Sequence, residues 1–201
     1  IFNTQDGSTV VSELVKYDSL IIKPADPILK GYTFAGWYKQ AEYVNEWDFT
    51  TDKMPAHDII LYAKWNINSY TAHFNAQGGS AVNSETVVYN TTITAPINPI
   101  KTGYTFGGWY KEDEGTNAWD FGTDTITGDI TLYAKWSINS YTVSFNPQGG
   151  SSVASKTANF DSTIIKPNEP TLTGYTFEGW FKESGCITAW NFATDRLPAE
   201  D

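Results

Sequence analysis

The sequence predicts a mostly β protein built from three tandem small repeat units. The stretch from residue 103 to residue 121 reads GYTFGGWYKEDEGTNAWDF, and related stretches occupy residues 31–49 and 174–192. A fixed period of about 70 residues with this much internal identity indicates a tandem array. Within each repeat, alternating apolar and polar residues separated by Gly-containing turns are typical of short strands. The fold question therefore concerns one small unit that occurs three times.

Each repeat opens with a strand and a turn. The alternation in Tyr70–Phe74 predicts a half-buried strand. Two-residue hairpins are then expected, because the central residues of such turns need positive φ, and the candidate pairs are Asp6-Gly7, Gly78-Gly79 and Gly149-Gly150. The chain should return as a second strand at residues 82–89, with counterparts at residues 10–17 and 153–160.

The middle of each repeat holds two prolines three positions apart, which disfavours a long helix because proline has no backbone N–H. We expect an extended crossover with at most one short helical turn. GYTFxGW then predicts a third strand, in which strict alternation puts Phe34 and Trp37 on opposite faces. The glycine before each tryptophan, such as Gly36, indicates a β-bulge or the close approach of a neighbouring ring.

The last strand ends in LYAKW and covers Ile59–Trp65 and Ile130–Trp136. We interpret Lys64 and Lys135 as edge-strand lysines that discourage edge-to-edge pairing. About four residues without Gly or Pro join consecutive repeats, so we expect limited bending and an extended array. Repeat one is residues 1–65, repeat two is 66–136 and repeat three is 137–201. Repeat one lacks part of its first strand and repeat three its last strand, as in an excerpt from a longer protein.

Aromatic residues make up 15% of the chain and recur at the same places in all repeats. We interpret the shared rings as core, because large rings let a small unit bury apolar area without disulfides. Trp65 and Trp136 lie near the repeat boundaries and are expected to pack between neighbouring repeats. The motif residues are Gly31, Tyr32, Phe34, Trp37, Trp47, Phe49 and Trp65, then Gly103, Tyr104, Phe106, Trp109, Trp119, Phe121 and Trp136, and finally Gly174, Tyr175, Phe177, Trp180, Trp190 and Phe192.

No set of residues that could perform catalysis recurs in the repeats or clusters within one of them. His57 and His73 have no histidine counterparts in other repeats, and Cys186 is the single cysteine. An aspartate recurs after a threonine in every repeat (Asp52, Asp124 and Asp195), and we interpret it as a turn cap rather than a calcium ligand. The formal net charge of −10 disfavours nucleic acid and anionic membrane surfaces as partners. We therefore predict no enzymatic activity, no metal and no cofactor.

The ordered motifs YTVSFNPQGGS, GYTFGGW, WDF and ITLYAKW resemble the Listeria–Bacteroides repeat, also called the internalin B-type repeat. The resemblance covers essentially the whole chain, three times. It implies a β-grasp-like unit with a small mixed sheet and a short helical crossover. It also implies an extracellular location, in tandem arrays of secreted or wall-anchored bacterial surface proteins.

Two functions remain open from the sequence. The first is a non-catalytic stalk or spacer that presents other domains of the same parent protein and adds auxiliary contacts to a host cell. The second is a glycan- or receptor-binding module with repeated weak sites. The second predicts an exposed aromatic or polar cluster at the same place in each repeat. The expected partners are a host-cell surface protein or glycan and the neighbouring repeats.

Overall fold

The computed structural model describes residues 1–199, and these residues contain nine strands and no helix. The strands are β1 (Phe2–Asn3), β2 (Tyr32–Tyr38), β3 (Leu61–Ile67), β4 (Ser69–Asn75), β5 (Glu85–Val88), β6 (Tyr104–Tyr110), β7 (Ile130–Ile138), β8 (Ser140–Val143) and β9 (Lys156–Asn159). They form a three-stranded sheet β1-β3-β2, a four-stranded sheet β5-β4-β7-β6 and a two-stranded sheet β8-β9. The crossovers that carry the prolines are extended and contain no helical turn.

Each LYAKW strand lies inside its sheet. β3 pairs in parallel with β1, with Phe2 opposite Leu61, and antiparallel with β2 on its other side. β7 likewise lies between β4 and β6. The predicted mostly β architecture with mixed sheets in tandem repeats is confirmed.

Lys64 and Lys135 are therefore not edge-strand lysines, and that interpretation was wrong. Both strands already have partners on each side, so there is no edge to protect. The Nζ atom of Lys64 lies 5.0 Å from the centroid of the Tyr38 ring, and Lys135 Nζ donates to the carbonyl oxygen of Gly115 at 3.0 Å. These lysines pack along the sheet and tie the loop after the third strand to the LYAKW strand.

A β-bulge interrupts each GYTFxGW strand, as the glycine before tryptophan predicted. The register between β2 and β3 shifts between Phe34 and Trp37, and Gly36 there has φ of 121°. The extra residue brings Phe34 and Trp37 to the same face, where their ring centroids are 5.4 Å apart. The prediction of strict alternation was wrong, because a bulge resets the two-residue period of a strand.

The Gly-containing turn also differs from the expected hairpin. Gln77 and Gly78 are its central residues, with φ of 47° and 83°, and Gly79 N–H donates to Ala76 at 3.0 Å. The central pair is thus one position earlier than predicted, and the same holds for Gln5-Asp6 and Gln148-Gly149. The β4–β5 ladder ends where Ala72 faces Glu85, so the turn belongs to a longer connection rather than to a two-residue hairpin.

The second strand is shorter than predicted and is missing from repeat one. Only Glu85–Val88 and Lys156–Asn159 form it, pairing with β4 and β8. Residues 10–17 form no strand, since β1 is two residues long and offers them no partner. Whether a strand forms at this position therefore depends on a neighbouring strand with which it can pair and not on the local sequence.

The core of repeat one contains Trp37, Trp47, Leu61, Ala63 and Ile21, all buried. Trp37 lies opposite Ala63 in the β2–β3 ladder, so a small side chain makes room for the indole. Repeat two uses the same pairing, with Trp109 opposite Ala134. Burying one such ring removes about 150–250 Å² from water, which contributes about 4–6 kcal/mol before entropic costs.

Repeat three departs from the other two. Residues 175–181, the counterparts of β2 and β6, form no strand, although residues 174–180 read GYTFEGW and carry the same motif. Within residues 137–199 no segment corresponds to β3 or β7, so the third strand has no antiparallel partner. Trp180 is 9% exposed, against 1% for Trp37 and 3% for Trp109. Glu200 and Asp201 lie outside the described residues.

The chain divides into two compact units that do not coincide with single repeats. The first contains Ile1–His73, Ser84–Ala95 and Asp120–Thr131. It includes all of repeat one and the connection from repeat one to repeat two. The second contains Phe74–Asn83, Pro96–Trp119 and the residues from Leu132 onward, and it includes the connection from repeat two to repeat three.

Candidate functional site at the junctions between repeats

Consecutive repeats are joined by a single residue rather than by the four that the sequence suggested. β3 continues to Ile67 and β4 begins at Ser69, so only Asn68 lies between them. The strand extends this far because Ile67 still pairs with Tyr32 of β2. The same holds at the next connection, where Asn139 alone separates β7 from β8.

Three hydrogen bonds hold Asn68 between its two repeats. Its N–H donates to the carbonyl oxygen of Gly31 at 2.9 Å, and its own carbonyl oxygen accepts from Tyr89 N–H at 2.8 Å. Its side-chain Oδ1 accepts from the hydroxyl of Thr33 at 2.6 Å. Gly31 and Thr33 belong to the GYTF motif of repeat one, whereas Tyr89 belongs to repeat two. Asn68 therefore connects the GYTF motif to the following repeat.

The second junction repeats this arrangement. Asn139 N–H donates to Gly103 at 2.9 Å, and the Asn139 carbonyl oxygen accepts from Phe160 N–H at 2.8 Å. The hydroxyl of Thr105 donates to Asn139 Oδ1 at 2.6 Å. Because two junctions with different flanking residues have the same bonds, the arrangement follows from the residues they share.

Two separate features of each junction, the backbone conformation and a close ring contact, require glycine at the first position of GYTF. Gly31 and Gly103 are buried and have φ of 81° and 77°, in the region that disfavours residues with a Cβ. A Cβ on Gly31 would overlap the ring of Tyr89, and one on Gly103 would overlap the ring of Phe160. The aromatic ring of the following repeat thus lies directly on this glycine.

The tyrosine of GYTF completes the contact. Tyr32 meets Tyr89 edge-on with ring centroids 6.2 Å apart, and Tyr104 meets Phe160 at 6.1 Å. We call this set of residues the junction clasp. It consists of the Gly, Tyr and Thr of GYTF, the linking Asn, and the aromatic residue of the following repeat. The five members are Gly31, Tyr32, Thr33, Asn68 and Tyr89 at the first junction, and Gly103, Tyr104, Thr105, Asn139 and Phe160 at the second.

Repeat three carries an open half of the clasp. Gly174 keeps φ of 81° but is exposed, and no atom lies within 4 Å of the Cβ it would carry. Tyr175 is 77% exposed, compared with 36% for Tyr32. Tyr17, the counterpart of Tyr89 in repeat one, is 73% exposed. These residues become covered only where a neighbouring repeat is present, so their burial depends on the junction.

Trp65 and Trp136 do not contribute to the junctions, contrary to the expectation that they pack between repeats. Trp65 Nε1 donates to the carbonyl oxygen of Thr4 at 2.9 Å, and Trp136 Nε1 donates to Ala76 at the same distance. Each acceptor belongs to the same repeat as its tryptophan. The phase of the LYAKW strand aims the indole back over the Gly-containing turn of its own repeat.

The other motif residues form the repeat interiors. In repeat one, Phe34 and Phe49 pack on the cluster that contains Trp37 and Trp47. In repeat two, Trp109 contacts Phe74 and Phe106, and in repeat three Trp180 contacts Phe145 and Phe177. Half-buried positions are held by Trp119, Phe121, Trp190 and Phe192.

A polar cluster recurs beside the second tryptophan of each repeat. Lys39 Nζ lies 5.3 Å from the Trp47 ring centroid and 2.9 Å from Asp52 Oδ1. Asp52 Oδ2 also accepts from the N–H of Asp48 at 2.9 Å, which confirms the turn cap. The Lys39 hydrogen bond is the main cause that lowers the pKa of Asp52, followed by the bond from Asp48.

The same cluster occurs in repeat three. Lys182 lies 5.4 Å from the Trp190 ring centroid and pairs with Asp195 at 3.1 Å. The pKa of Asp195 is lowered chiefly by the hydrogen bond from Asn191 N–H and then by Lys182. Across residues 1–199, no group of three His, Cys, Asp or Glu side chains is arranged to hold a metal ion. Asp52 and Asp195 are each engaged by a backbone N–H of their turn and by a lysine.

The histidines and the cysteine lie at separate places on the surface. His73 Nδ1 is 3.0 Å from the hydroxyl of Ser84, and both side chains are exposed. Cys186 is exposed at a turn position with φ of 55°, where Tyr43 and Gly115 also have positive φ. Across the described part of the chain, no helix is long and apolar enough to cross a lipid bilayer.

Sequence reasoning missed two members of the clasp, the linking asparagine and the aromatic ring of the following repeat. A signal for them exists in the sequence. Asn68 and Asn139 hold the same place in both linkers, and Tyr17, Tyr89 and Phe160 hold the same place before the Asp or Asn of the next turn. These recurring positions do not show, however, that the ring of one repeat contacts the glycine of the preceding repeat.

Comparison with known proteins agrees with this repeat structure. Two proteins of Evansella cellulosilytica, named a Gly-rich membrane protein and a membrane protein, are each 43% identical to this chain, over 98% and 96% of its length. Internalin H of Listeria monocytogenes is 44% identical over 140 residues, or 69% of this chain. The matches cover only 23%, 29% and 25% of those proteins, so the chain spans about a quarter of their length.

The family comparison covers nearly every residue. The Listeria–Bacteroides repeat domain matches three times, at residues 1–64, 70–135 and 141–201. The family and the internalin relative both point to a non-catalytic module. With three tandem matches and the motifs in their expected order, this chain belongs to the Listeria–Bacteroides repeat domain family.

Proposed function

We propose that this chain is a spacer: a stiff stalk segment of a bacterial surface protein that holds other domains away from the cell. The observation that carries the proposal is the junction clasp, which leaves one residue between repeats and bonds that residue to both. The names of its relatives, two membrane proteins and an internalin, support a place at the cell surface.

The clasp supports stiffness through its energetics. Each junction has three hydrogen bonds through its asparagine, and a net contribution of about 0.5–1.5 kcal/mol per bond gives about 1.5–4.5 kcal/mol. The aromatic pair adds about 0.5–1.5 kcal/mol beyond its buried area. Bending at Asn139 would separate the Phe160 ring from Gly103 and break these bonds together. A flexible linker of Gly and Ser would cost nothing comparable to bend.

The alternative, a glycan- or receptor-binding module, calls for an exposed ring at the same place in every repeat. Trp47 is 6% exposed and lies beneath Lys39, so it offers no face for stacking. The prominent exposed rings, Tyr17 and Tyr175, are counterparts of two different clasp residues, Tyr89 and Tyr32, so they do not mark one place that is exposed in every repeat. Contact with a host-cell protein or glycan therefore stays an auxiliary proposal. Saturable binding of the three-repeat chain to mammalian cells or a glycan panel, stronger than that of one repeat, would favour it.

Pulsed electron–electron double resonance, which measures the distance between two spin labels, tests the stiffness of the junction directly. One spin label is placed on the native Cys186 of repeat three, which is exposed, and the other on Thr116→Cys in the equivalent loop of repeat two. A stiff junction predicts a narrow distance distribution between the labels. Gly103→Ala, which displaces the Phe160 ring, should broaden it.

The matched control is Gly174→Ala. It introduces the same side chain at the same backbone conformation, but at a glycine with no neighbour within 4 Å. The distribution should then keep its wild-type width. A broad distribution in the unmodified chain would contradict the proposal, because the clasp would not then restrict the angle between repeats.

A further inference from the structure

The first and last strands of repeat two lie side by side in their sheet. β4 and β7 are neighbours in the order β5-β4-β7-β6, and each has its antiparallel partner on the far side. The sheet therefore consists of two antiparallel pairs, β5–β4 and β7–β6, which are joined by the ladder between β4 and β7. We call this ladder the central seam.

Two hydrogen bonds show that the central seam is parallel. At one end, the N–H of Thr71, near the start of β4, donates at 2.8 Å to Oδ1 of Asp129, directly before β7 begins. At the other end, Nε1 of Trp136, near the end of β7, donates at 2.9 Å to the carbonyl oxygen of Ala76, directly after β4 ends. The two strands therefore run in the same direction, as their counterparts β1 and β3 do in repeat one.

The path of the chain gives this orientation a mechanical consequence. Asn68 connects β3 to β4, and Asn139 connects β7 to β8. Tension along the chain therefore enters β4 at Ser69 and leaves β7 at Ile138, and these two residues lie at opposite ends of the central seam. Pulling there slides the two strands past each other. Because the hydrogen bonds of a parallel ladder are evenly spaced, they resist this sliding together instead of breaking one after another.

The side chains along the central seam are shielded from water. Ala72 of β4 is 0% exposed, and Leu132 and Ala134 of β7 are each 1% exposed. Phe74, near the end of β4, packs against the Trp109 ring with centroids 4.9 Å apart. Backbone hydrogen bonds in such surroundings are stronger than in water, because the local dielectric is low. Sliding β4 along β7 would also move these side chains out of their packed positions, so the core resists the same movement.

We propose that repeat two is a mechanical clamp, which bears tension along the chain through the central seam without unfolding. The strands that carry the load are those by which the chain enters and leaves the repeat, whereas β5 and β6 lie outside the load path. The inference goes beyond the spacer role, because a spacer resists bending at the junctions and a clamp resists extension within a repeat. It rests on the spacer role only for the source of the tension, a domain held at the end of the stalk.

Single-molecule force spectroscopy on the whole 201-residue chain tests the clamp by changing the direction of pulling. Cys186→Ser removes the native thiol, and handles are then attached to pairs of cysteines introduced at exposed positions. Ser69→Cys with Ser137→Cys places the handles at opposite ends of the central seam and loads it in shear. Ser69→Cys with Thr127→Cys places both handles at the same end and unzips the seam one bond at a time.

The two pulling directions should give different unfolding forces. At equal loading rate, the force for the Ser69 and Ser137 handles should exceed that for the Ser69 and Thr127 handles at least about twofold, because the ladder breaks as a unit only in shear. Equal forces, or a lower force in shear, would overturn the proposal. Both variants keep the same seam and the same core, so a difference in folding stability does not explain a difference in force.

Two further substitutions separate the load path from the rest of the sheet. Asp129→Ala removes the bond from the Thr71 N–H, which crosses the central seam. Its matched control, Thr86→Val, removes the bond between the hydroxyls of Thr71 and Thr86, which lies within the β5–β4 pair. With handles at Ser69 and Ser137, Asp129→Ala should raise the unfolding rate at constant force about tenfold, and Thr86→Val should leave it unchanged. Equal rates in the two variants would overturn the proposal.

The pulling experiment and the spin-label experiment can fail separately. A narrow distance distribution between the labels, together with equal forces in the two pulling directions, would support the spacer and overturn the clamp. A broad distribution, together with a higher force in shear, would overturn the spacer and support the clamp.

Discussion

Replacing Gly103 with alanine is the most direct test of the junction clasp. Gly103 is buried with φ of 77°, and the Cβ of alanine would overlap the ring of Phe160. Two penalties follow, one from the backbone conformation and one from displacement of the ring. Gly174 has φ of 81° and no neighbour within 4 Å, so the same substitution there has only the first penalty.

The two penalties can be estimated separately. A left-handed conformation costs a residue with a Cβ about 1–2 kcal/mol. Forcing an extra methyl group into a packed site adds about 1–3 kcal/mol. Gly103→Ala should therefore destabilise the second junction by about 2–5 kcal/mol, whereas Gly174→Ala should cost only the first 1–2 kcal/mol or so at its own position.

Residue-resolved hydrogen exchange is the suitable assay, because three linked repeats need not unfold in one step. The informative amides are those of Asn139 and Phe160, which donate to Gly103 and Asn139 respectively. In Gly103→Ala both amides should exchange faster. Each 1.4 kcal/mol of lost stability raises the exchange rate about tenfold. Both should keep wild-type rates in Gly174→Ala.

An unchanged exchange rate of the Phe160 amide in Gly103→Ala would refute the reasoning, because the added methyl group would then not displace the Phe160 ring. Equal effects of Gly103→Ala and Gly174→Ala on these amides would refute it as well. In that case backbone strain alone would account for the glycine, and the contact with the following repeat would contribute nothing measurable. A parallel result at Gly31→Ala, read at Tyr89, would show that the clasp is a general property of the array.

Three further predictions concern the repeat interior, the polar cluster and the linker. Trp109→Ala should cost about 3–5 kcal/mol in a denaturant titration, while Trp180→Ala should cost less, because that ring is more exposed and no strand within residues 1–199 covers it; equal losses would contradict this account. Asp52→Asn should lower the free energy of unfolding at pH 7 by about 0.2–1 kcal/mol, as for exposed ion pairs. Since the pKa of Asp52 is lowered in the folded state, chiefly by the hydrogen bond from Lys39, this difference should shrink as the pH falls below about 4. Asp58→Asn is the control at pH 7, where it should leave the free energy of unfolding unchanged. Thr105→Val should lose about 0.5–1.5 kcal/mol at the second junction, measured as faster exchange of the Asn139 amide; an unchanged rate would mean that the side-chain bond is dispensable.

Several features of the fold could be predicted from local sequence because their causes are local. The period and the motif order define the repeats. The glycine before each tryptophan predicted the bulge, since only that residue tolerates the φ of 121° found at Gly36. Asp18, Asn90 and Asp161 have positive φ in the turns where short polar residues were expected. Each of these depends on one residue and its immediate neighbours.

The position of the LYAKW strand could not be predicted in the same way. Its lysines suggested an edge, but the strand lies in the middle of the sheet, because its neighbours come from distant parts of the repeat. The faces of Phe34 and Trp37 were also missed, since the number of residues in a bulge depends on the register with the partner strand.

Sequence alone determined that the chain is a mostly β array of three family repeats with rings at fixed places. Tertiary structure alone decided what GYTF does. The same motif forms a strand at Tyr32–Tyr38 and Tyr104–Tyr110 and none at residues 175–181, with which no LYAKW strand pairs within residues 1–199. Its glycine is buried under a ring at Gly31 and Gly103 and exposed at Gly174. The physical reason is that backbone pairing and ring contacts join residues far apart in the chain, so identical local sequences take the structure their neighbours permit.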